Sequence, residues 1–181
     1  LMSFALNFML WKKNLFWIVI LTSLLILSKA RMGLAAPFIA YIMGQIIVKY
    51  PTIMRILTIL FMILMISSFI WLPLSGLAGT GRFLVWFNML EQIDSIWWYG
   101  DIFDALGRVS NSEDQLHNLY LHLFLSRGAY IYGLICIIIL NKLFILIKQG
   151  KRSSYSTLIL FLMHSATDNV VLYPFLIPLI I

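Results

Sequence analysis

The residues of this chain best suited to chemistry are one histidine, four cations and one aspartate, each placed beside or inside an apolar run. His117-Asn118 stands where an acidic stretch ending in Glu113-Asp114 gives way to Leu119-Tyr120-Leu121. A neutral imidazole at such a border is a competent general base near neutral pH, with Asn118 or Gln115 to fix its tautomer. Packing at a membrane surface is the plainer role. His122 lies five residues on, about 140° around a helix, so the two rings make no i,i+4 metal pair and His122 reads as packing.

Arg82 follows Gly76, Gly79 and Gly81. A guanidinium near a helix start and beside glycines suits a phosphate; the alternative is an arginine snorkelling to a headgroup. Lys29 and Arg31 lie in Lys29-Ala30-Arg31-Met32-Gly33, between two apolar runs. The preceding run has only about 14 residues, roughly 21 Å of helix against a hydrocarbon core of about 30 Å. The turn is therefore expected just below the surface, at the depth of a lipid-linked diphosphate, with ordinary headgroup contact as the alternative.

Arg127 and Asp168 sit within apolar segments, where a single unpaired charge is costly. Counted along straight helices, Arg127 lies roughly 12–15 Å below His117 and Asp168 about 12 Å below the same surface. The matched depths predict an ion pair, structural in character. His164 shares a helix face with Asp168 at i,i+4. The remaining carboxylates include Asp101-Ile102-Phe103-Asp104 and Glu113-Asp114. They lack the two aspartates flanking one residue that mark many metal-dependent sugar-nucleotide transferases. They read as a solvated acidic face, and neither metal nor cofactor is expected. The single cysteine, Cys136, lies in an apolar run and reads as a buried small hydrophobe, which leaves no disulfide or zinc framework.

The elements that must position these residues follow from composition. Of 181 residues 62% are hydrophobic and 11% charged, with mean hydropathy +0.96. A soluble domain of this size cannot bury that much apolar surface, so the chain reads as an integral membrane protein. The net charge of +6 does not point to nucleic acid, because the cations are scattered between apolar runs and form no single basic stripe.

The runs are Leu1–Leu10, Leu15–Ser28, Leu34–Val48, Ile56–Leu74, Asn118–Ile147 and Ser156–Ile181. Turns rich in Lys and Arg alternate along them. Placing Lys12 and Lys13 on the cytoplasmic side puts Lys49, Arg55, Lys142, Lys148, Lys151 and Arg152 there too, eight of the thirteen Lys and Arg. The long polar segment 75–117 then faces outward. Within it, apolar residues at 83, 86, 87, 90 and 93 recur at helical spacing, predicting an amphipathic surface helix over 82–96. The expected fold is all-α: a polytopic transmembrane helix bundle with a long extracytoplasmic loop at 75–117, forming one transmembrane domain over 1–181. The chain opens on Leu1 and closes on the apolar run Phe175 to Ile181, so it is expected to be the C-terminal part of a longer protein.

Three blocks, in order and on one side of the membrane, carry a resemblance. They are Ser28-Lys29-Ala30-Arg31-Met32-Gly33 between two runs, Gly81-Arg82 with Trp86 opening the outer loop, and His117-Asn118-Leu119-Tyr120-Leu121 entering the next run, with Gly128 downstream. Over roughly residues 15–175 the chain resembles the C-terminal half of the O-antigen ligase and O-antigen polymerase family. These are polytopic glycosyltransferases of the bacterial inner membrane that use undecaprenyl-diphosphate-linked glycans in surface polysaccharide biosynthesis. The resemblance implies a metal-independent, inverting transfer at the extracytoplasmic face, with a second glycan lipid or a lipid A-core sugar as acceptor. It implies His117 as the catalytic histidine beside the acceptor hydroxyl, and Arg82 and Arg31, with Lys29, as diphosphate contacts. Asn118, Arg127 and Asp168 would support them. The chain departs from the family pattern at Lys29, which stands where an arginine usually follows the serine, and at Arg127, where an apolar residue is usual. Two other classes fit parts of the pattern. One is a polysaccharide or lipid transporter with His164, Asp168 and Arg127 along its path; the other is an inactive truncated remnant.

Overall fold

The computed structural model describes residues 2–27, 31–67, 100 and 119–166. These residues are all-helical, with no strand among them. The helices are α1 (Met2–Lys12), α2 (Leu15–Leu27), α3 (Arg31–Lys49), α4 (Pro51–Ile66), α5 (Leu119–Lys148) and α6 (Arg152–Ser165). Of the segment 75–117, expected to face outward, only Gly100 is described, so the surface helix expected over 82–96 lies outside the described residues, as does the last run beyond 166.

The helices end where backbone chemistry ends them. At the end of α1 the amide of Lys13 donates to Leu10 O at 3.2 Å and that of Asn14 to Met9 O at 3.2 Å. At the end of α5 the amide of Gly150 donates to Ile147 O at 3.1 Å and that of Lys151 to Leu146 O at 3.0 Å. Both are the paired closing bonds of a Schellman cap, which needs a left-handed residue just past the helix. Gly150 supplies it with φ 63° at no steric cost, but in the α1 cap the left-handed residue is Lys13, at φ 53°. A side chain there costs about 1–2 kcal/mol. Lys13→Gly is therefore expected to raise stability by about 1 kcal/mol, read as a higher thermal midpoint in detergent. Asn14 then caps α2, its Oδ1 accepting from the Trp17 amide at 3.4 Å.

Three helix starts differ from the apolar runs, among them that of α6, which begins at Arg152 rather than Ser156. The third run starts at Leu34, but α3 starts at Arg31, so Arg31, Met32 and Gly33 belong to its first turn rather than to a tight turn. Arginine and methionine are good helix formers, and hydropathy alone does not see that. Likewise α4 starts at Pro51 rather than Ile56. Proline is preorganised for the first helical position, and Arg55 is carried, exposed, within the helix. Only Tyr50 separates α3 from α4.

The described residues fall into two compact units. The first takes its described residues from 2–61 and 141–164, the second from 62–140 and 165–166. In the first unit α1 packs on both α2 and α3, and α6 is its most buried element, with Tyr155, Ile159, Leu160 and Leu162 fully enclosed. Polar bonds pin α6 in place. Ser156 Oγ donates to Asn7 Oδ1 at 2.8 Å, and Asn7 Nδ2 donates to Thr157 Oγ1 at 3.4 Å. Thr58 Oγ1 donates to Met54 O at 2.6 Å, so the proton in its 2.7 Å contact with Tyr155 comes from the tyrosine hydroxyl. Arg152 reaches Gln45 Oε1 at 3.3 Å. The closest approach is at Gly44. A β-carbon there would lie 2.8 Å from the Trp11 ring, 2.9 Å from Arg152 O and 3.1 Å from Ser156 Cβ. Small residues at such positions let helix backbones meet.

One helix among the described residues, Leu123–Lys148, is long and apolar enough to cross a membrane. Leu15–Leu27, Gly33–Lys49 and Pro51–Met65 are shorter apolar helices.

Candidate functional site

The second unit is organised around a break in α5. At Gly128 the backbone leaves helical geometry, with φ 72° and ψ 172°. That region is accessible essentially only to glycine. The 20 residues from 129 to 148 continue as helix, about 30 Å long, which by itself matches the hydrocarbon core. Gly100 comes against the break. A β-carbon on it would lie 2.5 Å from Gly128 N, 2.6 Å from Arg127 N and 2.7 Å from Arg127 C. The two glycines thus let the backbone at Gly100 touch the backbone where the helix kinks. Arg127 is exposed at this point, next to the buried Ser126. Phe124 and Tyr132 meet edge-to-face across the break, with ring centroids 5.7 Å apart. Tyr120 and Tyr132 are both buried. Cys136, expected to be a buried small hydrophobe, is only half-buried and shares a hydrogen bond with Tyr132.

Both glycines have positive φ, 71° at Gly100 and 72° at Gly128. Replacing either by alanine is expected to cost about 1–3 kcal/mol, measured as a lower thermal midpoint of the detergent-solubilised chain. An unchanged midpoint for both would contradict this geometry.

The structure places the sequence-predicted residues unevenly. Arg31 opens α3, and Arg127 stands immediately before the break. Lys29, Arg82, His117, Asn118 and Asp168 lie outside the described residues, and so does the predicted Arg127–Asp168 pair. His117 precedes the first residue of α5, Leu119, by two positions. His164 is half-buried, its ring centroid 5.7 Å from that of Phe4. No group of three or more His, Cys, Asp or Glu able to hold a metal occurs among the described residues.

The break itself was within reach of the sequence. Gly128 directly follows an arginine in an otherwise apolar run, and a glycine inside a helical pattern is a signal for a bend. Its contact with Gly100 had no local signal. In comparisons with known proteins, no family model, no curated protein and no solved structure matches this chain.

Proposed function

We propose that the chain is a multi-pass inner-membrane glycosyltransferase of the O-antigen ligase or polymerase type. It moves an undecaprenyl-diphosphate-linked oligosaccharide at the extracytoplasmic face. The observation that carries this reading is the order of the three blocks, with His117-Asn118 immediately ahead of the apolar helix α5 and a glycine break nine residues into that helix. The exposed apolar faces support several membrane passes. On α2, Phe16, Trp17, Val19 and Ile26 are exposed; on α4, Ile53, Ile56, Leu60 and Ile63. Apolar faces of that extent are not left in water by a soluble monomer.

The chemistry asks little of the protein beyond placement. The leaving group is a lipid diphosphate, already a stable anion, so no strong general acid is needed. Arg82, Arg31 and Lys29 are proposed to hold the diphosphate and stabilise its charge as the glycosidic bond lengthens. His117 takes the proton of the acceptor hydroxyl, which attacks the anomeric carbon from the opposite face and inverts it. Asn118 orients the imidazole, and Arg127 with Asp168 steadies the surrounding helices.

The test is transfer by the purified chain with a lipid-linked donor and a glycan acceptor. Arg82→Ala is expected to raise the donor concentration needed for half-maximal transfer by roughly tenfold or more, the loss of one charge-assisted contact. An unchanged donor dependence contradicts the assigned role.

A further inference from the structure

Three turns of the first unit come together at one end. Trp11 at the end of α1 and the backbone of Arg152 at the start of α6 both pack against Gly44, near the end of α3. Gly150, in the turn after α5, lies against Val48, a β-carbon there being 3.7 Å from Val48 Cγ2. The contacts gather Lys12, Lys13, Lys49, Lys148, Lys151 and Arg152 at that end, all six exposed. Every Asp and Glu of the chain falls between 91 and 114 or at 168, so no carboxylate occurs among the described residues of this unit.

The surroundings select the partner. Leu15, Phe16 and Trp17, all exposed, begin two residues after Lys13, and exposed Tyr50 directly follows Lys49. The Lys12 ammonium lies 5.5 Å from the Phe8 ring centroid and the Lys49 ammonium 5.2 Å from that of Tyr50. Cations, exposed aromatic rings and apolar helix faces thus share one level of the molecule. Aromatic residues with Lys and Arg at one level mark a headgroup layer. A polynucleotide or acidic peptide offers the charge but nothing to cover the adjoining apolar faces. An anionic phospholipid offers both.

We propose that this end of the first unit is a binding surface for anionic phospholipid headgroups, separate from the transfer site. The phosphates sit among the lysines of the three turns, while the acyl chains lie along α2 and α4. The proposal rests on the multi-pass membrane reading and not on the transferase reading. Each cation near an anionic surface contributes about a fivefold factor in partitioning. Removing three should weaken binding on the order of a hundredfold.

The test uses the purified 181-residue chain in detergent, with phosphatidylglycerol, phosphatidylcholine or inorganic phosphate added. Bound lipid is counted by native mass spectrometry and stability by thermal midpoint. Phosphatidylglycerol is expected to be retained and to raise the midpoint, and the other two are not. The triple variant K49Q/K148Q/K151Q should bind phosphatidylglycerol on the order of a hundredfold more weakly. If that variant fails to fold, raising salt on the wild-type chain decides, because high salt should release the lipid. Equal retention of both lipids, an equal shift with inorganic phosphate, unchanged binding by the folded variant, or salt-insensitive retention each overturns the proposal. Carbonate extraction of membranes separates the two readings. A chain released by carbonate fails the membrane reading itself, whereas a resistant chain without lipid preference fails only this inference.

Discussion

Replacing His117 with alanine is expected to lower glycan transfer by about 10²- to 10⁴-fold while the protein still inserts and folds. That range is the usual contribution of a positioned general base. The size of the effect follows from the division of labour proposed here. In that proposal the diphosphate leaves as a stable anion, and cations take up the charge that develops on it. Deprotonation of the acceptor hydroxyl is then the one step that needs a proton-accepting side chain. The measurement is the initial rate of transfer in membranes containing equal amounts of wild-type and H117A protein. A transporter built on the same helices gives the opposite pattern, with activity surviving loss of His117 and failing on loss of Asp168.

Gly44→Leu is expected to be the most damaging single change to the fold, costing about 3 kcal/mol or more. A β-carbon alone would meet the Trp11 ring at 2.8 Å, Arg152 O at 2.9 Å and Ser156 Cβ at 3.1 Å. Trp11 can rotate away, but Arg152 O is backbone and can move only with α6. Displacing α6 strains the bond Ser156 donates to Asn7 and the bond Asn7 donates to Thr157, and Asn7 is only 2% exposed. An orphaned buried amide adds its own penalty of about 1–3 kcal/mol. Gly133→Leu is the internal control, because nothing lies within 4 Å of a β-carbon there. Size-exclusion profiles and protease resistance in detergent should show loss of folded G44L protein with G133L close to wild type. Equal behaviour of the two variants would contradict the packing described for the first unit.

Much of the helical frame could be read from the residues. The positions of Lys12, Asn14 and Lys148 locate three helix boundaries, because charged and capping residues interrupt otherwise continuous apolar runs. The starts of α3, α4 and α6 precede those of the apolar runs, since a hydropathy run begins at its first apolar residue and a helix does not. Arg55 is tolerated inside a helix because its side chain is exposed. The contacts of Asn7 with Ser156 and Thr157 join residues about 150 positions apart, and no periodicity in one segment announces such a partner. The same holds for Gly44, whose role depends on what packs against it. At the candidate site, residue types and order suggested the chemistry. The proposed convergence of Arg31, Arg82 and His117 rests on contacts between residues far apart in sequence, which the spacing along the chain does not fix.

The most direct test of the central claim is the surface glycan profile, by gel, of a strain deleted for this protein and complemented with the wild-type or H117A form. The account predicts that the wild type restores long chains and that H117A leaves the deletion profile. Retention of a single repeat would mark a polymerase, and accumulation of lipid-linked polymer a ligase. Normal long glycan in the deletion strain itself, or full restoration by H117A, would contradict it.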